Sequence, residues 1–119
     1  MKTFLAVYTG SPAMRERFER EYSDPDKRRA LEQRGMAAWS AWVTSNPSSI
    51  TDNGGPLGKT KRVGPNGISD VRNNLAGYTI VRAESHEAAA ALFLDHPHFS
   101  IFPGDAVEVM EVLAIPGTR

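Results

Sequence analysis

The chain has 119 residues, and we expect residues 1–119 to form a single domain, since domains most often run to about 100–150 residues. Its 14 Lys and Arg side chains balance 14 Asp and Glu, whereas proteins that bind nucleic acid through phosphates carry a basic excess. The absence of cysteine excludes disulfides, thiolate nucleophiles and cysteine-ligated metals. No apolar stretch approaches the roughly 20 residues that span a bilayer, and the first residues lack a signal-peptide pattern. The composition therefore predicts a cytoplasmic protein that binds neither nucleic acid nor membranes.

The first half of the chain predicts one strand and two helices. Phe4–Tyr8 is almost entirely apolar, which is typical of a strand buried on both faces. Arg15–Tyr22 has a helical spacing of apolar residues and interleaved charges, which indicates a short surface helix. A longer helix is expected to begin at Asp24-Pro25 and to end at Asn46-Pro47. Its small or apolar positions form one stripe, at 31, 35, 38, 39, 42 and 43.

The middle of the chain predicts two strands joined by a hairpin. The second strand starts at Ile50, is interrupted by Asn53-Gly54-Gly55-Pro56 and resumes over Leu57–Val63. Residues 64–67 read as the hairpin turn because Pro presets φ and Asn-Gly tolerates positive φ. The third strand then runs from Ile68 to Val81.

The last part of the chain predicts a helix and a final strand. Ser85 is expected to cap the helix, with Glu87 in its first turn, and Ala88–Leu94 continues it until Pro97 stops it. The fourth strand spans Val107–Ile115.

The resulting order, βαββαβ, predicts an α+β fold of the ferredoxin-like type: a four-stranded antiparallel sheet with two helices on one face. A sheet with one face in water alternates apolar and polar residues. These strands offer apolar side chains to both faces, and two helices cannot cover both. The second face therefore needs a partner, and a second copy in a two-fold homodimer is the simplest one.

With these elements in order, the chain resembles the YCII-related family of dimeric α/β-barrel proteins, which includes the DGPF-type domains. The resemblance covers nearly the whole chain and rests on five segments: Phe4-Leu5-Ala6-Val7-Tyr8, Gly55-Pro56, Gly77-Tyr78-Thr79-Ile80-Val81, Ala83-Glu84-Ser85-His86-Glu87-Ala88-Ala89, and the acidic-proline-aromatic loop before Val107-Glu108-Val109. It implies a bacterial, cytoplasmic homodimer with largely unassigned biochemistry. Related barrels include muconolactone-isomerase-like and dehydrochlorinase-like enzymes, which need no bound cofactor.

The best-known branch of that family has a His on the first helix and an Asp immediately before a proline in the loop after the second. Here the first helix has Gly35-Met36-Ala37-Ala38-Trp39 with no His, and His96 precedes Pro97. The candidate catalytic residues are instead His96, supported by Asp95 and His98. A His can transfer protons near neutral pH, and a neighbouring carboxylate can orient its ring. The alternative interpretation is a helix C-terminus at which His and Pro have a structural role alone.

The candidate ligand-binding residues are Tyr8, Trp42 and Phe99, which could line a cleft beside His96, and Asn74. Arg72-Asn73-Asn74 could bind a substrate carboxylate or satisfy bulged backbone. Trp39 and Trp42 share a helix face, and at least one of them is expected in the core. A metal site is disfavoured because His96 and His98 have no obvious third ligand, Asp105 and His86 being weak candidates.

Three classes of function remain open at this point. The protein could be a cofactor-independent isomerising or eliminating enzyme that acts on a small organic compound through His96. It could instead be a non-catalytic module that binds a small molecule in the same cleft, or a dimerisation module without a cleft.

Overall fold

The structure, a computed structural model, describes residues 1–117. The strands are β1 Lys2–Thr9, β2 Ile50–Pro56, β3 Thr60–Gly64, β4 Gly67–Val71, β5 Leu75–Ala83 and β6 Ala106–Glu111. The helices are α1 Pro12–Glu21, α2 Pro25–Ser45, α3 His86–Ala91 and α4 Pro97–Ser100.

The main sheet has four strands in the order β2-β5-β1-β6, and every neighbouring pair is antiparallel. This order confirms the predicted α+β, ferredoxin-like arrangement, in which the first and third main strands lie at the centre. One face of the sheet carries the core because Phe4, Ala6, Tyr8 and Val81 point towards the helices and are buried. Both central strands alternate buried and partly exposed residues, which is the period of two expected of a sheet with one face covered.

Helix α2 begins and ends where the sequence indicated. Asp24 caps it by accepting a hydrogen bond from the Asp26 amide at 2.9 Å, and Pro25 occupies the first turn. Its predicted stripe faces inward: Leu31 and Gly35 are buried, and the other four positions are half-buried. Both tryptophans of the stripe pack against the core.

The predicted hairpin exists, but its place in the fold was wrong. Strands β3 and β4 form a separate two-stranded sheet and are not the second and third strands of the main sheet. The main strand β2 ends at Pro56, and β5 starts only at Leu75. Alternating residues and turn residues predict a hairpin but do not show which sheet the hairpin joins. Residues 57–74 form an insertion between β2 and β5, hereafter the arm.

Two boundaries near the end of the chain also differ from the prediction. Pro97 does not stop a long helix; α3 ends at Ala91, and Pro97 occupies the first turn of the new helix α4. The last strand ends at Glu111 rather than Ile115, although the Val112 amide still donates to the Thr3 carbonyl at 2.9 Å. No helix within residues 1–117 combines the length and apolarity needed to cross a bilayer.

The second face of the main sheet has no layer over it within residues 1–117. The cross-strand register places Leu5 beside Ile80 and Met110, and Val7 beside Tyr78. Met110 is 41% exposed, and the other four side chains are half-buried. This set of five residues is hereafter the open face.

Candidate active site

The segment Asp95-His96-Pro97-His98 folds as a tight turn leading into α4. Asp95 adopts φ of 55°, a left-handed conformation that Asp tolerates better than most residues. His96 follows in extended conformation as the N-cap of α4. The turn directs the His96 ring into the protein and leaves Asp95 exposed.

The His96 ring is 1% exposed and is enclosed by aromatic side chains. Trp39 and Trp42 meet it nearly edge-on, with ring centroids at 4.5 and 4.6 Å. Tyr8 and Phe93 lie at 5.2 and 5.7 Å. We refer to His96 and these four rings as the aromatic cluster, which joins α2, β1 and the segment after α3.

The hydrogen bonds of His96 assign its tautomer. Its Nδ1 accepts from the His98 amide at 3.1 Å, which is the N-cap interaction. An accepting Nδ1 carries no proton, so in the neutral ring the proton is on Nε2. This Nε2 is buried and has no hydrogen-bond partner within residues 1–117. The cluster therefore contains one unused N–H donor.

The His98 ring lies 5.2 Å from that of Tyr8, which also contacts the His96 ring at 5.2 Å. The Nε2 of His98 donates to the Thr9 carbonyl at 2.7 Å, which leaves the lone pair of the neutral ring on Nδ1. Gly104 makes room for the ring, because a Cβ at that position would overlap His98. Thr9 lies at the end of β1, so the main sheet fixes the position of this imidazole.

The Tyr8 hydroxyl belongs to a short buried chain of hydrogen bonds. It lies 2.6 Å from Thr79 Oγ1, which is 3.2 Å from the Asn53 carbonyl. Because a carbonyl can only accept, Thr79 donates to Asn53 and the Tyr8 hydroxyl donates to Thr79. Burial raises the pKa of Tyr8, the bond to Thr79 partly opposing it, so its phenol is neutral at physiological pH.

Both imidazoles of the segment are held in the neutral form. Burial, with a smaller contribution from the charge of His98, lowers the pKa of His96 from 6.5 to about 4. Burial also lowers the pKa of His98, while the Thr9 carbonyl and the Asp105 carboxylate oppose that shift. At pH 7 the pair therefore offers one N–H donor on His96 and one lone pair on His98.

The structure brings together only some of the residues that the sequence singled out. His96, His98, Tyr8 and Trp42 meet in and beside the aromatic cluster. The Asp95 carboxylate bonds to neither imidazole, and the acid whose charge acts on His98 is Asp105.

Phe99 and Asn74 lie away from the cluster. Phe99 lines a cavity of about 310 Å³ between α3 and β6, and Asn74 lines one of about 360 Å³ beside α1. Neither of these two cavities includes His96.

Sequence reasoning missed four residues of the site, and Phe93 is one of them. Thr79 and Gly104 gave no signal of their own, since a threonine in a strand and a glycine after a proline are ordinary. Trp39 was one of two tryptophans of which at least one was expected in the core, and it contacts His96. Within residues 1–117, no group of three or more His, Asp or Glu side chains is arranged to hold a metal ion.

No protein-family model and no curated protein matches the sequence. Among solved structures, the chain is similar to the 5-chloro-2-hydroxyhydroquinone dehydrochlorinase of Burkholderia phenoliruptrix AC1100, in its complex with 2,5-dihydroxybenzoquinone. The two chains are 18% identical, the match covers 91% of this chain and 90% of the other, and the TM-score is 0.49. The chemistry of the site is therefore derived from its own geometry.

Proposed function

We propose that the protein is a cofactor-independent enzyme that isomerises, or eliminates a group from, a small oxygenated organic compound. The observation that carries the proposal is the unpartnered Nε2–H of His96 inside the aromatic cluster. A buried donor without a partner costs about 1–3 kcal/mol, and native proteins keep few of them. A ligand oxygen that accepts from Nε2 would remove this cost.

The two neutral imidazoles have complementary roles in this chemistry. His96 Nε2–H donates to a carbonyl or hydroxyl oxygen and polarises it, as a neutral imidazole can do without transferring its proton. His98 Nδ1 accepts a proton from the carbon next to that oxygen. In an isomerisation the electron pair of the broken C–H bond moves towards the oxygen, and the proton held on His98 is then returned to a different carbon. In an elimination this pair forms a C=C bond, and the leaving group departs with the electrons of its own bond. Neither reaction requires an external electron acceptor.

A non-catalytic module that binds a small molecule is the second candidate. The almost complete burial of the His96 ring favours it. A ligand reaches His96 Nε2 only when one of the surrounding rings moves, because the ring is almost fully buried. Trp39 and Trp42, both on α2, are the partly exposed members of the cluster. A binding module needs the His96 donor and the aromatic walls but not the His98 lone pair.

Two substitutions at position 96 separate the helix-capping role of Nδ1 from the hydrogen-bond donor Nε2–H. In His96→Asn, the amide oxygen replaces Nδ1 as the helix cap, but no atom reaches the position of Nε2. In His96→Gln, the longer amide places an N–H near the position of Nε2 and loses the cap. We expect the His96→Asn variant to fold normally and to lose ligand binding. We expect the His96→Gln variant to be less stable but to retain part of the ligand binding.

Binding can be read from tryptophan fluorescence, because the only two tryptophans of the chain both contact His96. The probes are hydroxylated and keto-substituted aromatic compounds, titrated into the wild type and both variants. Turnover of a bound compound that is lost in His98→Asn supports the enzyme, whereas binding without turnover supports the module. Equal binding by the wild type and His96→Asn would overturn both proposals.

We also propose that the protein is a homodimer formed through the open face. Five neighbouring apolar side chains, with Glu108 beside Val7 at the edge strand, are an unusual surface to leave in water, and a two-fold axis would pair this surface with itself. The assembly is tested separately from the chemistry, by sedimentation.

A further inference from the structure

The tip of the arm is apolar and has no contact with the core. Val63 and Ile68 are paired across β3 and β4, so their side chains lie side by side, and they are 76% and 72% exposed. The radius of gyration is 16.5 Å, whereas a compact domain of this length has about 13.5 Å. The arm therefore projects from the domain and presents two branched side chains to solvent.

The arm is positively charged and the last third of the chain is negatively charged. Residues 57–74 contain four Lys or Arg and one Asp, which pairs with Lys61 at 2.6 Å within the arm. Residues 83–117 contain six Asp or Glu and no Lys or Arg. The zero net charge of the chain thus conceals two regions of opposite sign.

The acidic region contains an apolar cavity of about 310 Å³ between α3 and β6. Phe93, Leu94, Phe99 and Val107 line it, together with the Asp105 carboxylate. Leu94 is 76% exposed at its rim. This volume exceeds what two branched aliphatic side chains need, and the carboxylate suits a nearby cation.

The sheet order places the arm and this cavity at opposite edges but at the same end. The arm leaves β2 after Pro56, and Pro56 pairs with Gly77, which pairs with Tyr8. The cavity adjoins Val107, which also pairs with Tyr8. If two open faces pack about a two-fold axis parallel to the strands, β2 of each copy lies opposite β6 of the other. Because the rotation does not change the position along the axis, the same end of each sheet lies at the same height. Packed sheets are about 10 Å apart, and each five-residue strand of the arm extends about 17 Å beyond the residues that connect it to the main sheet.

We propose that the arm of each copy docks in the α3–β6 cavity of a second copy, with Val63 and Ile68 inserted and the arm cations beside Asp105. This inference rests on the homodimer proposed above and specifies its second contact. Phe93 lines the cavity and also contacts His96 at 5.7 Å. A docked arm therefore covers the outer side of the aromatic cluster, and each site is completed by the partner chain.

The absence of cysteine makes the contact testable by cross-linking. The Val63→Cys and Leu94→Cys variants are prepared separately, each with a different tag. Both side chains are exposed, so we expect neither substitution to disturb the fold. The preparations are mixed and oxidised. A disulfide needs Cβ atoms within about 4.5 Å, so only a docked arm brings the two thiols into reach. The control pair is Val63→Cys with Met36→Cys, since Met36 is 63% exposed on α2.

The expected result is a disulfide between one chain of each tag, formed about tenfold faster than in the control pair. Equal rates in a sample that sediments as a dimer would overturn the arm contact and leave the homodimer intact. A monomer in sedimentation would overturn both. A chain carrying both cysteines that closes an internal disulfide would show that the arm folds onto its own domain, which also overturns the inference.

A membrane surface is the competing partner for a cationic arm with an apolar tip. Co-sedimentation with phosphatidylglycerol vesicles tests it, using the wild type and the double variant Val63→Ser/Ile68→Ser. If the arm docks in a second copy, the wild type and the double variant should bind the vesicles equally weakly. Vesicle binding that the double variant loses, together with equal cross-linking rates, would assign the arm to a lipid surface instead.

Discussion

The imidazole of His96 caps a helix with one nitrogen and leaves the other without a partner among the residues described. The sequence predicted that His96 is the central residue of the candidate site, and that role remains a prediction. Its burial and its tautomer could not be predicted, because both depend on Trp39 and Trp42, which lie more than fifty positions earlier in the chain. The exposed position of Asp95 depends on its left-handed φ, which the sequence does not specify.

The depressed pKa of His96 makes stability depend on pH in a defined window. The unfolded chain binds a proton near pH 6.5 and the folded chain only near pH 4, so stability is full above about 6.5 and falls as the pH drops towards 4. The slope approaches about 1.4 kcal/mol per pH unit for each buried imidazole. Urea unfolding of the wild type and of His96→Asn, measured from pH 7 to pH 4.5, checks this. If the free energy of unfolding fell equally with pH in the wild type and in His96→Asn, the prediction would be contradicted.

Gly104 is required by the ring of His98. A methyl group at this position overlaps the imidazole, so Gly104→Ala should reduce the free energy of unfolding by about 1–3 kcal/mol and displace His98 from Thr9. Chemical denaturation gives the stability. Gly58→Ala is the matched control, because a Cβ there meets nothing within 4 Å. An equal effect of the two substitutions would mean that the glycine is not needed for packing.

At the scale of elements, helix α2 shows what periodicity can predict. Its cap, its proline and its stripe are local signals, and all three were read correctly from the sequence. The segment after α3 shows the limit of local signals. A proline is compatible with the end of one helix and with the first turn of the next, and only the tertiary position of His96 decides between them.

The two tryptophans of α2 should both contribute to stability. Trp42 packs on Phe93 and donates its Nε1–H to the Leu92 carbonyl at 2.7 Å, and Trp39 packs on Tyr8 and His96. Each substitution by Ala should cost about 3–5 kcal/mol, as measured by denaturant unfolding. Met36→Ala on the exposed side of the same helix should change it by less than about 0.5 kcal/mol. A cost below about 1 kcal/mol for both tryptophans would show that the stripe does not form the core.

For the whole molecule, the sequence predicted the layers of the fold but misplaced the hairpin. The order of elements was sufficient for the sheet and for the face that the helices cover, whereas the partner that the two-sided apolar strands predict for the second face stays a prediction. The arm was assigned to the main sheet because an isolated hairpin and a pair of sheet strands have the same alternation and turn residues. Pairing between β2 and β5 connects residues that are 21 to 31 positions apart, and no local pattern encodes that register.

The open face should make the protein a dimer at micromolar concentration. Sedimentation should give about twice the chain mass of 13.0 kDa. Ile80→Lys places a charge in the middle of this face and should produce a folded monomer. Leu113→Lys, at a site that is 73% exposed beyond the last strand, is the control and should remain dimeric. A wild type that is monomeric at this concentration would contradict the packing argument.

The detached position of the arm also determines where a protease can act on the native protein. Trypsin cleaves after Lys and Arg, and the arm offers four such residues on a two-stranded segment outside the core. Arg82 lies within the central strand β5, and no further Lys or Arg precedes Arg119. Brief digestion of a monomeric variant should therefore nick the undocked arm first and release no part of the candidate site, whereas docking in a second copy should slow this cleavage. A nicked chain whose two halves stay together would divide the polypeptide between β2 and β5, and the sheet would hold the halves as a two-chain protein.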